Sequence, residues 1–156
     1  MNAIVINLNR KERGMRTIET SVSLQVPPQS LWSAITDSSA LPKHVGMLRS
    51  VHLLSDRLDV GAIRVCTLKN GRSFHEQITV WEPGHRYCYK PDVEAAGFPF
   101  EEAEACWTVE PNAGGSQLSY RLQYKPKSFA KDLLNYPLLR TYGVWQIRKM
   151  LRSYGA

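Results

Sequence analysis

A carboxylate stands where an apolar side chain is expected. In SFHEQITV, residues 73–80, Phe74, Glu76, Ile78 and Val80 alternate with Ser73, His75, Gln77 and Thr79. Alternation with period two is the pattern of a strand with one apolar face, so Glu76 points inward and His75 toward solvent. A buried, unpaired carboxylate is costly, and it needs a partner or a raised pKa. The preceding strand, GAIRVCTLK, offers Arg64. The turn between them decides whether they meet. A two-residue Asn70-Gly71 loop, a strong hairpin signal, pairs Val65 with Glu76 and sends Arg64 to the other face. A three-residue Asn70-Gly71-Arg72 loop pairs Cys66 with Glu76. It gathers Arg64, Cys66, Leu68, Phe74, Glu76 and Ile78 on one face, with Arg64 diagonal to Glu76. The pattern alone favours the two-residue loop, because Ile63 and Val65 are the better wall residues. Three roles are open to the pair: a structural ion pair, an anchor for the polar end of a ligand, or an acid–base couple. The last needs a second group near the reacting atom and a tuned pKa, and the sequence supplies neither.

Aromatic residues follow on later strands. Tyr87 and Tyr89 share a face in RYCY. Ala103, Ala105, Trp107 and Val109 share one in EEAEACWTV, as do Tyr120, Leu122 and Tyr124 in SYRLQY. Apolar walls with a few convergent polar groups describe a small-molecule pocket, although each of these residues also serves as plain core. The four histidines, His44, His52, His75 and His85, have no metal-ligand spacing. There is no nucleophile motif and no phosphate-cradling glycine loop, so neither metal nor cofactor is expected.

The elements that must position these residues are readable from turn signals. TIETSVSLQV (17–26) alternates as a strand. PPQSLWSAITD opens a short helix with proline in its first turn and Leu31, Trp32 and Ile35 on its apolar side. SSALPKH suggests a second helical turn with a serine N-cap, broken by Pro42. Six strands follow. DVEAAGFPF (92–100) reads as a loop at a cavity mouth, with Phe98 and Phe100 as gate or plug. A long helix then runs from an N-cap at Ser128 toward Gly155, with a kink expected at Pro137. Beyond Pro137 its apolar residues fall in two rows. Leu138, Tyr142 and Trp145 form one; Val144, Ile147, Leu151 and Tyr154 form the other. Such a helix is covered on two sides, or meets a partner or a membrane. The layout is α+β: strand, two short helices, six strands, long helix.

VPPQSLWSAITDSSALPKH, VGAIRV and EQITVWEPGHRYCY together resemble the START-like superfamily, also called SRPBCC, helix-grip or Bet v 1-like. Within it they are most similar to the polyketide cyclase/dehydrase and lipid-transport group, over residues 17–154. The resemblance implies a curved antiparallel seven-stranded sheet around a long C-terminal helix, with a cavity between them for a hydrophobic aromatic, polyketide-like or lipidic molecule. It favours the three-residue loop, because similar arginine and glutamate positions line one pocket in the abscisic-acid receptors of plants. The ligand-lining set it implies is Arg64, Cys66, Leu68, Phe74, Glu76, Ile78, Tyr87, Tyr89, Ala105, Trp107, Tyr120, Leu122, Leu138 and Tyr142. Glu76 and Arg64 are the catalytic candidates should the chain act as a cyclase, aromatase or dehydratase. Carriers and receptors share the fold, so it does not choose among these functions.

Composition bounds the rest. With 156 residues, 43% hydrophobic and 22% charged, the chain fits one globular domain, expected over 16–156 after an N-terminal arm at 1–15. No apolar run is long enough to span a membrane, and the start lacks a signal peptide's order, so a cytoplasmic location is expected. Cys66, Cys88 and Cys106 are odd in number and far apart, and read as reduced thiols. The net charge of +6 equals that of residues 125–156 alone, where Lys125, Lys127, Lys131, Arg140, Arg148, Lys149 and Arg152 face only Asp132. This is either a solvated helix face or a surface that attracts anionic lipid or nucleic acid. No nucleic-acid module is present, so contact with an anionic membrane through the C-terminal helix is the sharper expectation. The sequence leaves the oligomeric state open.

Overall fold

The computed structural model describes residues 14–156; the N-terminal arm expected over 1–15 lies almost wholly outside them. The elements in chain order are β1 (Arg16–Leu24), α1 (Pro28–Thr36), α2 (Leu41–His44), β2 (Leu48–Leu53), β3 (Ile63–Leu68), β4 (Ser73–Glu82), β5 (Arg86–Pro91), α3 (Val93–Ala96), β6 (Phe100–Asn112), β7 (Gly115–Pro126) and α4 (Phe129–Ser153). The strands form one antiparallel sheet in the order β1-β7-β6-β5-β4-β3-β2. The α1–α2 segment carries the chain from one edge of the sheet to the other. Two further connections are long, residues 54–62 between β2 and β3 and the stretch holding α3; the others are short.

Local chemistry accounts for the helices. Pro28 lies in the first turn of α1, where its missing N–H costs nothing. Leu31 and Ile35, one turn apart, are fully buried, and each contributes about 1.5–3 kcal/mol by leaving water. In α2 Pro42 sits in the first turn and does not break the helix, and the capping position is Ala40, not a serine. The expected loop at 92–100 contains α3. Asp92 accepts a hydrogen bond from the Ala95 N–H at 3.0 Å, and Gly97 closes the helix at φ 74°. Phe98 then packs between Phe74 and Phe100, at ring distances of 5.6 and 6.2 Å.

The helix α4 runs unbroken for 25 residues with Pro137 inside it. Ser128 caps its start, accepting from the Lys131 N–H at 3.4 Å. It lies against β1 and β7. Asp132 accepts from Arg16 Nε at 2.9 Å and from Tyr124 Oη at 3.3 Å. Arg148 Nε donates to Thr20 Oγ1 at 2.8 Å. Val144, Ile147, Leu151 and Tyr154, the second row seen in the sequence, face the core.

Two expectations are corrected here. Cys88 and Cys106 are not both free: they stand directly opposite each other on β5 and β6, with Cα atoms 4.1 Å apart, and are joined as a disulfide. Sequence separation hid a cross-strand pair that the register makes adjacent. Cys66 is the free, buried thiol. Val80 does not continue the inward face of β4. An irregularity between Ile78 and Val80 shifts the phase, so that Val80 pairs with Cys88 and Trp81 turns inward opposite Tyr87.

Candidate functional site

The β3–β4 hairpin brings Arg64 and Glu76 together, in a register that neither loop predicted. Arg64 pairs directly with Glu76, and Cys66 with Phe74. The Leu68 N–H donates to the Arg72 carbonyl at 2.8 Å, leaving Lys69, Asn70 and Gly71 as the loop. Gly71 has φ 91°, a conformation glycine adopts without strain. The shared face of Arg64, Cys66, Leu68, Phe74, Glu76 and Ile78 stands; the diagonal geometry does not. Arg64 Nε donates to Glu76 Oε2 at 2.7 Å, with side chains 2% and 10% exposed.

Around this ion pair lies an aromatic row that crosses four strands. Trp81, Tyr87, Trp107 and Tyr120 are successive cross-strand partners on β4, β5, β6 and β7. Tyr87 and Trp107 stack with centroids 6.4 Å apart, and Trp107 meets Tyr120 edge-on at 5.2 Å. The next row is Ile78, Tyr89, Ala105 and Leu122. The Arg64 guanidinium lies 4.8 Å from the Tyr89 ring centre and 5.7 Å from that of Tyr87, within cation–π range. Tyr87 Oη donates to the Ile35 carbonyl at 3.1 Å, and the hydroxyls of Tyr89 and Tyr120 meet at 3.3 Å. From α1, Trp32 packs against Trp81 and Tyr87.

The electrostatics keep every tyrosine here neutral and the arginine charged. Burial alone would lower the Arg64 pKa, but the Glu76 carboxylate and then Tyr87 and Tyr89 raise it further, and the net shift is upward. Burial pushes Tyr87 and Tyr120 up to about 12. Tyr89 also moves up, through burial and then Tyr120. The Cys66 thiol is raised by burial and by Glu76 beside it, which leaves it unreactive. The cluster is therefore rich in donors. Among the described residues, Arg64 Nη1, Trp107 Nε1 and Tyr154 Oη are buried and meet no acceptor. Tyr154 belongs to the same packing, edge-on to Trp107 at 5.7 Å.

Not all of the expected lining residues join this cluster. Leu68 and Phe74, with Cys66 beside them, pack under α2 and α3 against Leu41, Leu48, Val51 and Ala96. Leu138 and Tyr142 are 70% and 61% exposed. They line an open groove of about 740 Å³ with Pro99, Phe100 and Pro126. Their row on α4 faces outward, because the other row is the one seated on the sheet. Conversely, Trp81, Trp32 and Tyr154 are members that the sequence reading of the site missed. Tyr154 was legible as part of one of two apolar rows on the helix, but not as part of the inner one; nothing in the sequence marked the shift that turns Trp81 inward. His44 stacks on Tyr154 at 3.7 Å, and its Nδ1 lies 2.7 Å from Ser153 Oγ. Burial and then Lys43 lower its pKa. No group of three or more metal-ligating side chains occurs among the described residues, and no described helix is long and apolar enough to cross a membrane.

Comparison with known proteins agrees with this architecture. No curated protein matches the chain in sequence. Among solved structures, Ara h 8.0201 superposes with a TM-score of 0.66 at 17% identity, over 90% of this chain and 98% of its own. TTHA0849 from Thermus thermophilus gives 0.69 at 13% identity, over 90% and 94%. The di-domain ARO/CYC StfQ of the steffimycin biosynthetic pathway gives 0.70 at 13%, over 94% of this chain and 51% of that one. At such identities these likenesses establish the helix-grip fold. The family model for polyketide cyclase/dehydrase and lipid transport matches residues 15–154, and the chain belongs to that family.

Proposed function

We propose that the protein binds a hydrophobic small molecule between sheet and α4, holding its polar end at Arg64 and Glu76. The observation that carries this reading is the trio of buried donors without acceptors, Arg64 Nη1, Trp107 Nε1 and Tyr154 Oη, set in an aromatic wall. A buried donor left unpaired costs about 1–3 kcal/mol, and a ligand oxygen would remove that cost. The Arg64–Glu76 pair is already neutral as a unit, so the fitting end group is an uncharged acceptor such as a carbonyl, on an aromatic, polyketide-like or lipidic body. Tyr89, Tyr120, Ile78, Ala105 and Leu122 would form the apolar bed.

Binding without turnover is favoured over cyclisation or dehydration. The groups with displaced pKa values in the cluster, Arg64, Tyr87, Tyr89 and Tyr120, and Cys66 beside it, all move upward and away from neutrality, whereas acid–base work needs a value near the working pH. Native mass spectrometry of freshly purified protein tests the binding reading: a co-purified apolar mass that Arg64→Met loses supports it, and an empty protein that takes up no carbonyl-bearing aromatic overturns it. Turnover that Glu76→Gln abolishes while binding survives would favour the enzyme. A cytoplasmic site of action belongs to this reading. The Cys88–Cys106 disulfide is not a bond that a glutathione-poised compartment preserves by default, so thiol labelling in a fresh lysate decides this point: three free thiols support the cytoplasm, and Cys66 alone free places the protein in an oxidising compartment.

A further inference from the structure

The outer face of α4 is built unlike an ordinary solvated helix face. Leu134, Leu138, Tyr142 and Trp145 are 80%, 70%, 61% and 55% exposed. Their spacings of four, four and three residues place them on one side of the helix. Lys131 before them and Lys149 and Arg152 after them continue the same side, all exposed. The Tyr142 and Trp145 rings stack at 6.0 Å, and Lys149 Nζ lies 5.6 Å from the centre of the Trp145 ring. The single acid of the helix, Asp132, is buried and bonded to Arg16 and Tyr124, so the outward side of α4 carries no negative charge. The groove lined by Phe100, Leu138 and Tyr142 opens beside it, and Lys127, Lys131 and the buried, ion-paired Asp132 also line it. Single exposed leucines are ordinary; a contiguous apolar and aromatic row with cations at both ends is not.

We propose that this face docks on an anionic lipid surface, with α4 lying in the plane of the interface. Leu134 and Leu138 would enter the acyl boundary, Tyr142 and Trp145 would sit at headgroup level, and Lys131, Lys149 and Arg152 would meet lipid phosphates. Charge selects this occupant. Two-fold pairing of α4 with a second copy would set Lys131 against Lys149 and Arg152 of its mate, like against like, with no acid to answer them. A nucleic acid would satisfy the cations but give the leucines nothing. The inference does not depend on what the interior binds.

Co-sedimentation with vesicles tests it, using phosphatidylcholine alone and phosphatidylcholine mixed with phosphatidylglycerol. Binding is expected only to the mixed vesicles, falling as salt rises, with a blue shift of tryptophan emission that Trp145→Phe removes. Lys149→Gln/Arg152→Gln should weaken binding by about tenfold or more, and Leu138→Ser should weaken it while leaving the melting temperature in place. Equal binding to both vesicle types, no binding to either, or full binding by these variants would overturn the proposal. A dimer in analytical ultracentrifugation that Leu138→Ser dissociates, without vesicle binding, would assign the face to self-association instead.

Discussion

Arg64 and Trp145 are both large side chains on regular elements, and the fold treats them in opposite ways. Arg64 is 2% exposed, held by Glu76 at 2.7 Å and covered by two tyrosine rings. Trp145 is 55% exposed, and its aromatic and cationic ring partners among the described residues, Tyr142 and Lys149, lie on its own helix. The most polar side chain is inside and one of the most apolar is outside, against the usual sorting. Inside, the cost of burying a charge is offset by a partner fixed through strand register. Outside, nothing within the described fold offsets the exposed apolar area. One inversion is compensated within the chain, and the other points beyond it.

The largest expected effect lies on the inner side. Arg64→Met leaves the Glu76 carboxylate buried without its cation, and urea denaturation should show a loss of about 3–5 kcal/mol. The double variant Arg64→Met/Glu76→Leu should be much milder, because it removes both charges together. Equal losses in the two variants would mean that the pair does not carry the interior's polar balance, and the contrast with Trp145 would fail at its first term.

Period-two alternation was enough to place Glu76, Tyr87, Tyr89, Trp107 and Tyr120 on one wall, because each lies on a strand with one apolar face. Alternation cannot fix a register. The pairing of Arg64 with Glu76 depends on where the hairpin closes, at Lys69–Gly71, and Asn70-Gly71 sits inside the two-residue, three-residue and observed loops alike. An irregularity has no residue signature either: Thr79 is an ordinary strand residue, yet the phase changes beside it and Trp81 replaces Val80 on the wall. The disulfide partners were invisible because their adjacency belongs to β5–β6 pairing and not to spacing along the chain. On α4 both apolar rows were legible, but only packing against β1 and β7 shows which is inner.

The same helix offers the second test. Leu151, on the inner row, is fully buried in the main core, and Leu151→Ala should cost about 2–5 kcal/mol. Hydrogen exchange should quicken along the last turns of α4 and in β1, where the helix is seated. If only the helix end responds, α4 is attached to the sheet less firmly than its buried row implies.

Alkaline pH probes the neutral tyrosines. Burial raises Tyr87 and Tyr120 to about 12 in the folded state, whereas an unfolded tyrosine titrates near 10. Between those values the folded chain keeps protons that the unfolded chain loses, so stability is full below about pH 10 and falls as pH rises. Each group contributes a slope of at most about 1.4 kcal/mol per pH unit in that window. Tyr120→Phe should flatten the decline seen in denaturation curves collected at increasing pH. An unchanged slope would mean that water reaches the hydroxyls of the aromatic row, and the interior would be less closed than Arg64 requires.

The smallest effect is expected at the outer face, and its smallness is the informative result. Leu134 is 80% exposed, so Leu134→Ser removes almost no buried contact. Serine is only slightly poorer than leucine as a helix former. The stability change should stay within about 0.5 kcal/mol, read as a melting temperature indistinguishable from that of the parent chain. A clear loss would show that Leu134 is covered in solution. A neutral result leaves a leucine that the isolated fold does not use, on a helix side that carries cations and no acid. Solubility alone would favour a polar residue there, so a neutral result sharpens the contrast with Arg64: the inner inversion is answered within the fold, and the outer one is not.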